Sequence, residues 1–179
     1  LEHEDIGPFG RQCLLARRLV ERGVRFVQIY CGAENTTQKK IRPNWDSHED
    51  LVRDHGAKLD QCVSALVRDL EERGMLDDVT VAVWGEFGRT PRINPGAGRD
   101  HWPGAMSVLF AGGGLQMGQA IGTTDSKAEY PTSKPYTPGC VLSTMYHTLG
   151  IDHHHVFYDQ GRRPLPVLNE GQPIAELIG

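Results

Sequence analysis

The chain has 179 residues, which is the length of one ordinary domain and too short for two full-sized ones. Its 19 basic and 23 acidic side chains give a formal net charge of −4, and this balance excludes the strongly basic surface of a typical nucleic-acid binder. No apolar run approaches the roughly 18 residues that a membrane span needs. The sequence therefore predicts a single domain over residues 1–179, without a nucleic-acid partner or a membrane span.

The first half of the chain shows two helical patterns with a strand-like segment between them. Apolar residues recur at helical spacing over residues 8–22, and Gly23 is placed to end that helix. The β-branched and aromatic residues of 25–30 predict a buried strand. A second helix is predicted from Leu51 to Leu70, because its apolar residues keep a 3.6-residue period over several turns.

The second half alternates apolar runs with segments rich in glycine. Residues 79–84 form a continuous β-rich run, which is typical of a parallel strand covered on both faces. Residues 105–111 form another run and lead into Gly112–Gly114, which we interpret as a tight turn because the GK[ST] ending of a phosphate-binding loop is missing. A third helix is predicted over residues 137–149, with Pro138 in its first turn.

Helices alternating with strands predict an α/β fold, a three-layer α/β/α sandwich with a mostly parallel sheet. In such a fold, ligands bind in loops beyond the carboxyl ends of the strands. The loop over residues 85–104 lies between two predicted strands, and loops of that length in compact domains usually carry function. We therefore expect the functional groups in this loop and in the polar stretch after residue 30.

Asp46 and His48 place a carboxylate and an imidazole two residues apart before the long predicted helix. This spacing lets both side chains reach one divalent cation. The alternative is a structural role, since Ser47 with Asp50 forms a capping-box pattern and Asp46 is itself a residue that caps helices. Capping leaves His48 without an assigned role, and both interpretations stay open.

Glu86 follows the predicted strand 79–84 after a single glycine, so its carboxylate is expected at the end of that strand. Gly85 and Gly88 allow the backbone to bend tightly around it, which favours a functional role. The alternative is a surface ion pair with Arg89 or Arg92, which would contribute little to stability.

Asp100 and His101 again place a carboxylate beside an imidazole. Several acidic and imidazole side chains in one small domain suggest a metal site with mixed nitrogen and oxygen ligands, which suits zinc, manganese or iron. The expected ligands are Asp46, His48, Glu86 and His101. Two arginines, Arg89 and Arg99, are candidates for holding an anionic group of the substrate, or else are solvated and inert.

Other features favour structural roles. His55 lies on the apolar stripe of the long helix and is expected to be a buried core histidine. His153–His155 lies in a polar stretch and is expected in a surface loop. No GxSxG motif is present, so the sequence offers no activated nucleophile.

The chain resembles the C-terminal part of the bacterial domain-of-unknown-function family 1501, which is planctomycete-type and related to the alkaline phosphatase and sulfatase superfamily. The motifs that carry the resemblance are GEFGRTP at residues 85–91 and RDHWP at 99–103, with WDSH at 45–48 and AGGG at 111–114. Residues 9–28 are a further segment that resembles the family. Together, these segments extend the resemblance over nearly the whole chain.

The resemblance implies an alkaline phosphatase-like sandwich with one or two metals at the strand ends. Asp46 and His48 would be the Asp and His ligands of one loop, Glu86 would replace the Asp of an Asp-His pair, and His101 would be the last His ligand. The nucleophile and an early Asp ligand would lie outside this chain. Its start at Leu1, without Met or signal peptide, fits a fragment, and the twin-arginine signals of family members imply an exported, periplasmic-type protein.

The function expected from this resemblance is metal-dependent hydrolysis of sulfate or phosphate esters of a small molecule or glycan. The divalent ion would be zinc, manganese, iron or calcium. The alternative is a binding or assembly module that keeps the fold with a degraded site. Phe87 favours this alternative, because a two-metal phosphatase has a second histidine ligand at that position.

Overall fold

The computed structural model describes residues 7–31, 45, 48 and 55–179. The chain forms two compact units, the first made of Leu1–Arg73 and Arg89–Pro103 and the second of Gly74–Gly88 and Gly104–Gly179. The single domain predicted over residues 1–179 stays a prediction.

Helices and short strands follow one another along the described residues. In chain order they are α1 (Gly7–Glu21), α2 (Ala57–Glu72), β1 (Thr80–Val83), β2 (Gly88–Arg89), β3 (His101–Trp102), β4 (Leu109–Gly112), β5 (Thr123–Thr124), β6 (Pro131–Ser133), α3 (Pro138–Thr148), β7 (Val156–Tyr158), β8 (Pro164–Pro166) and α4 (Ala175–Ile178). None of the helices in these ranges is both long and apolar enough to cross a lipid bilayer.

Helix α1 confirms the first predicted helix and its glycine stop. Gly23 has a φ of 89°, and its amide donates to the Val20 carbonyl at 2.9 Å. The next amide, of Val24, donates to the Leu19 carbonyl at 3.1 Å. These two bonds satisfy carbonyls at the end of the helix, in the pattern that a residue of positive φ makes possible.

Helix α2 confirms the second predicted helix over Ala57–Glu72. Its predicted first turn at residues 51–54 and its predicted cap, Ser47 with Asp50, lie outside the described residues. At its other end, Gly74 has a φ of 65°, as expected for a glycine that follows a helix.

The two helices of the first unit pack against each other through small side chains and an ion-pair network. Cys13 and Ala16 of α1 and Cys62 of α2 are buried. Beside them, the 93% buried Arg17 donates from Nε to Asp69 Oδ2 at 2.7 Å. Because a second guanidinium, that of Arg73, binds the same carboxylate, the pKa of Asp69 is lowered.

The second unit is built on an antiparallel pair of strands, in which Thr80 of β1 lies opposite Gly112 of β4 and Val83 lies opposite Leu109. Gly113 follows β4, and its amide donates to the Leu76 carbonyl at 2.8 Å. The tight turn predicted over Gly112–Gly114 is confirmed, since all three glycines have positive φ.

The C-terminal part of the second unit supplies its apolar core. Helix α3 confirms the third predicted helix, and two further antiparallel hairpins, β5–β6 and β7–β8, flank it in the chain. A buried cluster forms from Leu115, Ile174 and Leu177. The helix α4 also carries Glu176, whose carboxylate accepts hydrogen bonds from Lys134 Nζ and the Tyr136 hydroxyl.

The predicted three-layer α/β/α sandwich with a mostly parallel sheet is wrong. The described strands form short two-stranded sheets, and β1 and β4 run antiparallel. A parallel pair needs a crossover connection, usually a helix, whereas residues 84–108 between these two strands contain turns and the small strands β2 and β3. All four residues of β1 are half-buried, so the continuous apolar run does not mark a strand covered on both faces.

The strand predicted over residues 25–30 is also wrong. Residues 24–31 have no strand hydrogen bonding, and Phe26 and Tyr30 are 56% and 75% exposed. A β-rich composition favours a strand only where a neighbouring strand supplies the other half of the hydrogen bonds. No such neighbour pairs with this segment within the described residues.

Candidate functional site

The loop between β2 and β3, in the first unit, presents most of the polar side chains of the candidate site. The two strands pair with each other, and hydrogen bonds also connect the first and last residues of the loop between them. The Thr90 amide donates to the Asp100 carbonyl at 2.9 Å, and the Asp100 amide donates to Thr90 Oγ1 at 3.1 Å. This reciprocal pair places Asp100 and His101 at the end of the loop.

His48 and Asp100, far apart in sequence, meet in this unit. His48 Nδ1 lies 2.7 Å from Asp100 Oδ1, and the two side chains are 46% and 54% exposed. The ring of His101 lies against the His48 ring, with 4.7 Å between the ring centroids and 35° between the planes. Two imidazoles and a carboxylate therefore form one solvent-accessible cluster.

The bond to Asp100 determines the chemistry of the His48 ring. A carboxylate only accepts hydrogen bonds, so Nδ1 carries the proton and the neutral ring has its lone pair on Nε2. The hydrogen bond from His48, together with a second one from Asn94, keeps the pKa of Asp100 below its ordinary value. Asp100 is consequently a carboxylate at neutral pH.

Asn94 connects the loop to both members of this pair. Its Nδ2 donates to the His48 carbonyl at 3.0 Å and to Asp100 Oδ1 at 3.1 Å. A cleft of about 310 Å³ opens at this point, lined by His48, Asn94, Pro95, Gly96 and Asp100. The pair therefore lies at the wall of a shallow cleft that is open to solvent.

The two predicted anion-binding arginines both contact backbone carbonyls of the first unit. Arg89 donates to the carbonyls of Trp45 and Arg99, the latter at 3.3 Å. Arg99 Nη1 donates to the carbonyls of Thr90 and Pro91 at 2.6 and 2.5 Å. These contacts brace the loop around the cleft, and the predicted anion-binding role stays a prediction.

The four predicted metal ligands are not all brought together in one described cluster. His48 and His101 lie side by side, whereas Asp46 lies outside the described residues. Glu86 is exposed in the turn after β1 and belongs to the second unit. Within the described ranges, no group of three or more His, Cys, Asp or Glu side chains is arranged to hold a metal ion. The metal site stays a prediction.

His55 and His153–His155 lie where the sequence predicted them. His55 is 1% exposed and stacks on the Trp45 ring at 4.9 Å between centroids, which confirms a buried histidine. His154 and His155 are exposed and His153 is half-buried, beside a turn before β7, which confirms a surface position.

Sequence reasoning did not include Asp100 or Asn94 among the site residues. The signal for Asp100 was present, because a carboxylate next to a candidate ligand histidine is the usual outer partner of an imidazole at a metal. Asn94 offered a weaker signal: an asparagine four residues before Gly98 in a glycine-rich stretch is typical of a loop in which the side chain binds backbone amides.

Comparison with known proteins places the chain in a family and leaves its activity open. No curated protein and no solved structure matches the chain. A family model described as a protein of unknown function (DUF1501) matches residues 2–178. Because this match spans nearly the entire sequence, the chain belongs to the DUF1501 family.

Proposed function

We propose that this chain contributes the metal site of a hydrolase that cleaves sulfate or phosphate esters of a small molecule or glycan. The observation that carries the proposal is the contact between His48 and Asp100 at the wall of an open cleft, with the His101 ring lying against the His48 ring. Titratable groups gathered in a cleft are a common mark of a functional site.

The donor chemistry of this cluster fits a transition metal better than calcium. Imidazole nitrogen is a good ligand for zinc, iron and manganese, whereas calcium prefers oxygen ligands. His48 and His101 would be the imidazole ligands, and Asp46 is a further ligand that the sequence suggests. When bound, such a metal acts as a Lewis acid on an ester oxygen.

Asp100 would act on the metal through His48. Because Asp100 accepts a hydrogen bond from His48 Nδ1–H, it orients the ring so that the Nε2 lone pair points away from the carboxylate. The negative charge of Asp100 also makes the imidazole a stronger electron-pair donor to a metal ion at Nε2. The positive charges of Arg89 in β2 and Arg99 in the loop after it offset the carboxylate and favour the approach of an anionic ester.

The test is metal analysis and ester hydrolysis with the full-length protein, because the family resemblance places the nucleophile outside these residues. We expect purified protein to hold zinc, manganese or iron and to hydrolyse 4-nitrophenyl phosphate or sulfate. His48→Ala and His101→Ala should each lower both metal content and rate by at least about tenfold. His154→Ala, an exposed histidine of the second unit, is the matched control and should change neither.

A binding module is the second candidate, and the arginine contacts favour it. Arg89 and Arg99 direct hydrogen bonds to backbone carbonyls, as expected of arginines that shape a loop. Under this alternative the protein binds metal weakly or not at all, and ester hydrolysis stays at background in wild type and in His48→Ala alike. Export, implied by the family resemblance, is part of both proposals and is tested by cell fractionation.

A further inference from the structure

The side chain of Asn94 uses all of its hydrogen-bonding capacity within the candidate site. Its Nδ2 donates to the His48 carbonyl and to Asp100 Oδ1. Its Oδ1 accepts from the amides of Gly96 and Gly98, each at 3.0 Å. An amide group offers two donor hydrogens and two acceptor positions, and each has a partner here.

These contacts determine which way the Asn94 amide points. The Gly96 and Gly98 amides are donors, so the atom facing them must be the oxygen. The nitrogen then faces the His48 carbonyl and Asp100, both of which are acceptors. The opposite orientation would place donor against donor and acceptor against acceptor at all four contacts.

Asn94 therefore connects its own loop, the backbone of His48 and the carboxylate of Asp100. Its own loop is closed by the Oδ1 bonds and by a bond from the Asn94 amide to the Gly98 carbonyl at 2.9 Å. The backbone of His48 is held by one Nδ2 hydrogen, and the carboxylate of Asp100 by the other. Asp100 Oδ1 consequently receives two hydrogen bonds, one from Asn94 and one from His48 Nδ1.

We propose that Asn94 is a positioning residue of this site: it holds the carboxylate of Asp100 and the backbone of His48 so that the His48 ring keeps its proton on Nδ1. Both side chains are about half exposed, and an exposed contact of this kind contributes little by itself, so the two bonds from Asn94 add to what holds His48 and Asp100 together. For the use of Nε2 as a metal ligand, this inference rests on the proposed function.

The rival explanation is that Asn94 only closes its loop. Two substitutions separate the roles. Asn94→Asp keeps the oxygens that accept from Gly96 and Gly98, but it removes the Nδ2 donor and sets a like charge beside Asp100. Asn94→Ala removes all four bonds. A residue that only closes the loop would make Asn94→Asp behave like wild type at His48.

The experiment measures the ring protonation pattern of His48 by two-dimensional nitrogen–proton NMR of the histidine side chains, above the pH at which the ring is cationic. Hydrogen exchange of the Gly96 and Gly98 amides reports the loop in the same samples. We expect wild type to show predominantly the Nδ1–H form. Asn94→Asp should retain amide protection yet lose this preference, and Asn94→Ala should lose both.

A control substitution and a metal titration complete the design. Asn169→Asp makes the same chemical change at an exposed position of the second unit and should leave the His48 signals unchanged. Titration with Zn²⁺ alone should give an affinity about 10–100-fold lower for Asn94→Ala than for wild type.

The outcomes distinguish this inference from the proposed function. Wild-type-like ring signals in Asn94→Asp and Asn94→Ala, or a wild-type ring protonated on Nε2, would overturn the positioning role. An equal effect of Asn169→Asp would do the same. If wild type binds no Zn²⁺ and hydrolyses no ester while Asn94→Asp still changes the His48 ring, the proposed function fails and the positioning role stands.

Discussion

Replacing Gly112 by alanine should destabilise the β1–β4 hairpin for two separable reasons. Gly112 has a φ of 74°, and the left-handed conformation costs an alanine roughly 1–2 kcal/mol. In addition, a Cβ at this position would lie 2.4 Å from the Leu76 carbonyl oxygen and 2.5 Å from that of Val79. Both are backbone atoms, so rotation of a side chain does not relieve the clash.

Gly118 separates these two contributions. Its φ is 77°, close to that of Gly112, and an added Cβ would meet no atom within 4 Å. Gly118→Ala therefore carries only the conformational cost, whereas Gly112→Ala also carries the cost of overpacking, about 1–3 kcal/mol. For a chain of this size, about 1 kcal/mol corresponds to roughly 2–4 °C in Tm.

Thermal unfolding followed by circular dichroism measures the difference. We expect Gly118→Ala to lower Tm by about 2–8 °C, and Gly112→Ala to lower it by about 2–12 °C more. Equal Tm values for the two variants would refute the close approach of the Leu76 and Val79 carbonyls. A Gly118→Ala variant as stable as wild type would refute the conformational cost assigned to positive φ alone.

Three further predictions concern ionisable groups. The hydrogen bonds that Glu176 accepts lower its pKa from 4.5 to about 2, so its contribution to stability is present above pH 4.5 and lost as the pH falls toward 2. Glu176→Gln should flatten the fall of Tm over that range; an unchanged slope would contradict this. Burial raises the pKa of the Cys13 thiol to about 12, whereas hydrogen bonds lower the pKa of Cys140 despite its partial burial. Iodoacetamide at pH 8 should therefore modify Cys140 before Cys13, as peptide mapping would show, and equal rates would contradict this. Asp100→Ala, which removes the acceptor that faces Nδ1, should leave Tm nearly unchanged, because the exposed pair with His48 contributes little to stability, while NMR should show loss of the Nδ1–H preference.

The helices were predictable because their determinants are local. Apolar spacing identified α1 and α2, Pro138 marked the first turn of α3, and Gly23 follows α1 with positive φ as expected. Strand partners were not predictable in this way. Residues 79–84 and 105–111 were recognised as strands, yet nothing in either run specifies whether its neighbour lies parallel or antiparallel.

The sequence predicted which residues belong to the candidate site, but it did not predict how their side chains are arranged. His48 and His101 were selected for their chemistry, and the structure places their rings together. The hydrogen bonds that organise them join Asp100 and Asn94 to His48 across intervals of 52 and 46 residues. Contacts over such intervals leave no periodic trace in a single sequence.

The sequence by itself determined the positions of α1, α2 and α3, the glycine turn at Gly112–Gly114, and the set of imidazole and carboxylate side chains available for chemistry. These depend on residues within a few positions of one another, where backbone preferences and apolar spacing act directly. Only the tertiary structure decided that β1 and β4 are antiparallel, that residues 24–31 form no strand, and that Asp100 orients His48. The physical reason is that each of these depends on a partner distant in the chain, which is selected when the chain folds.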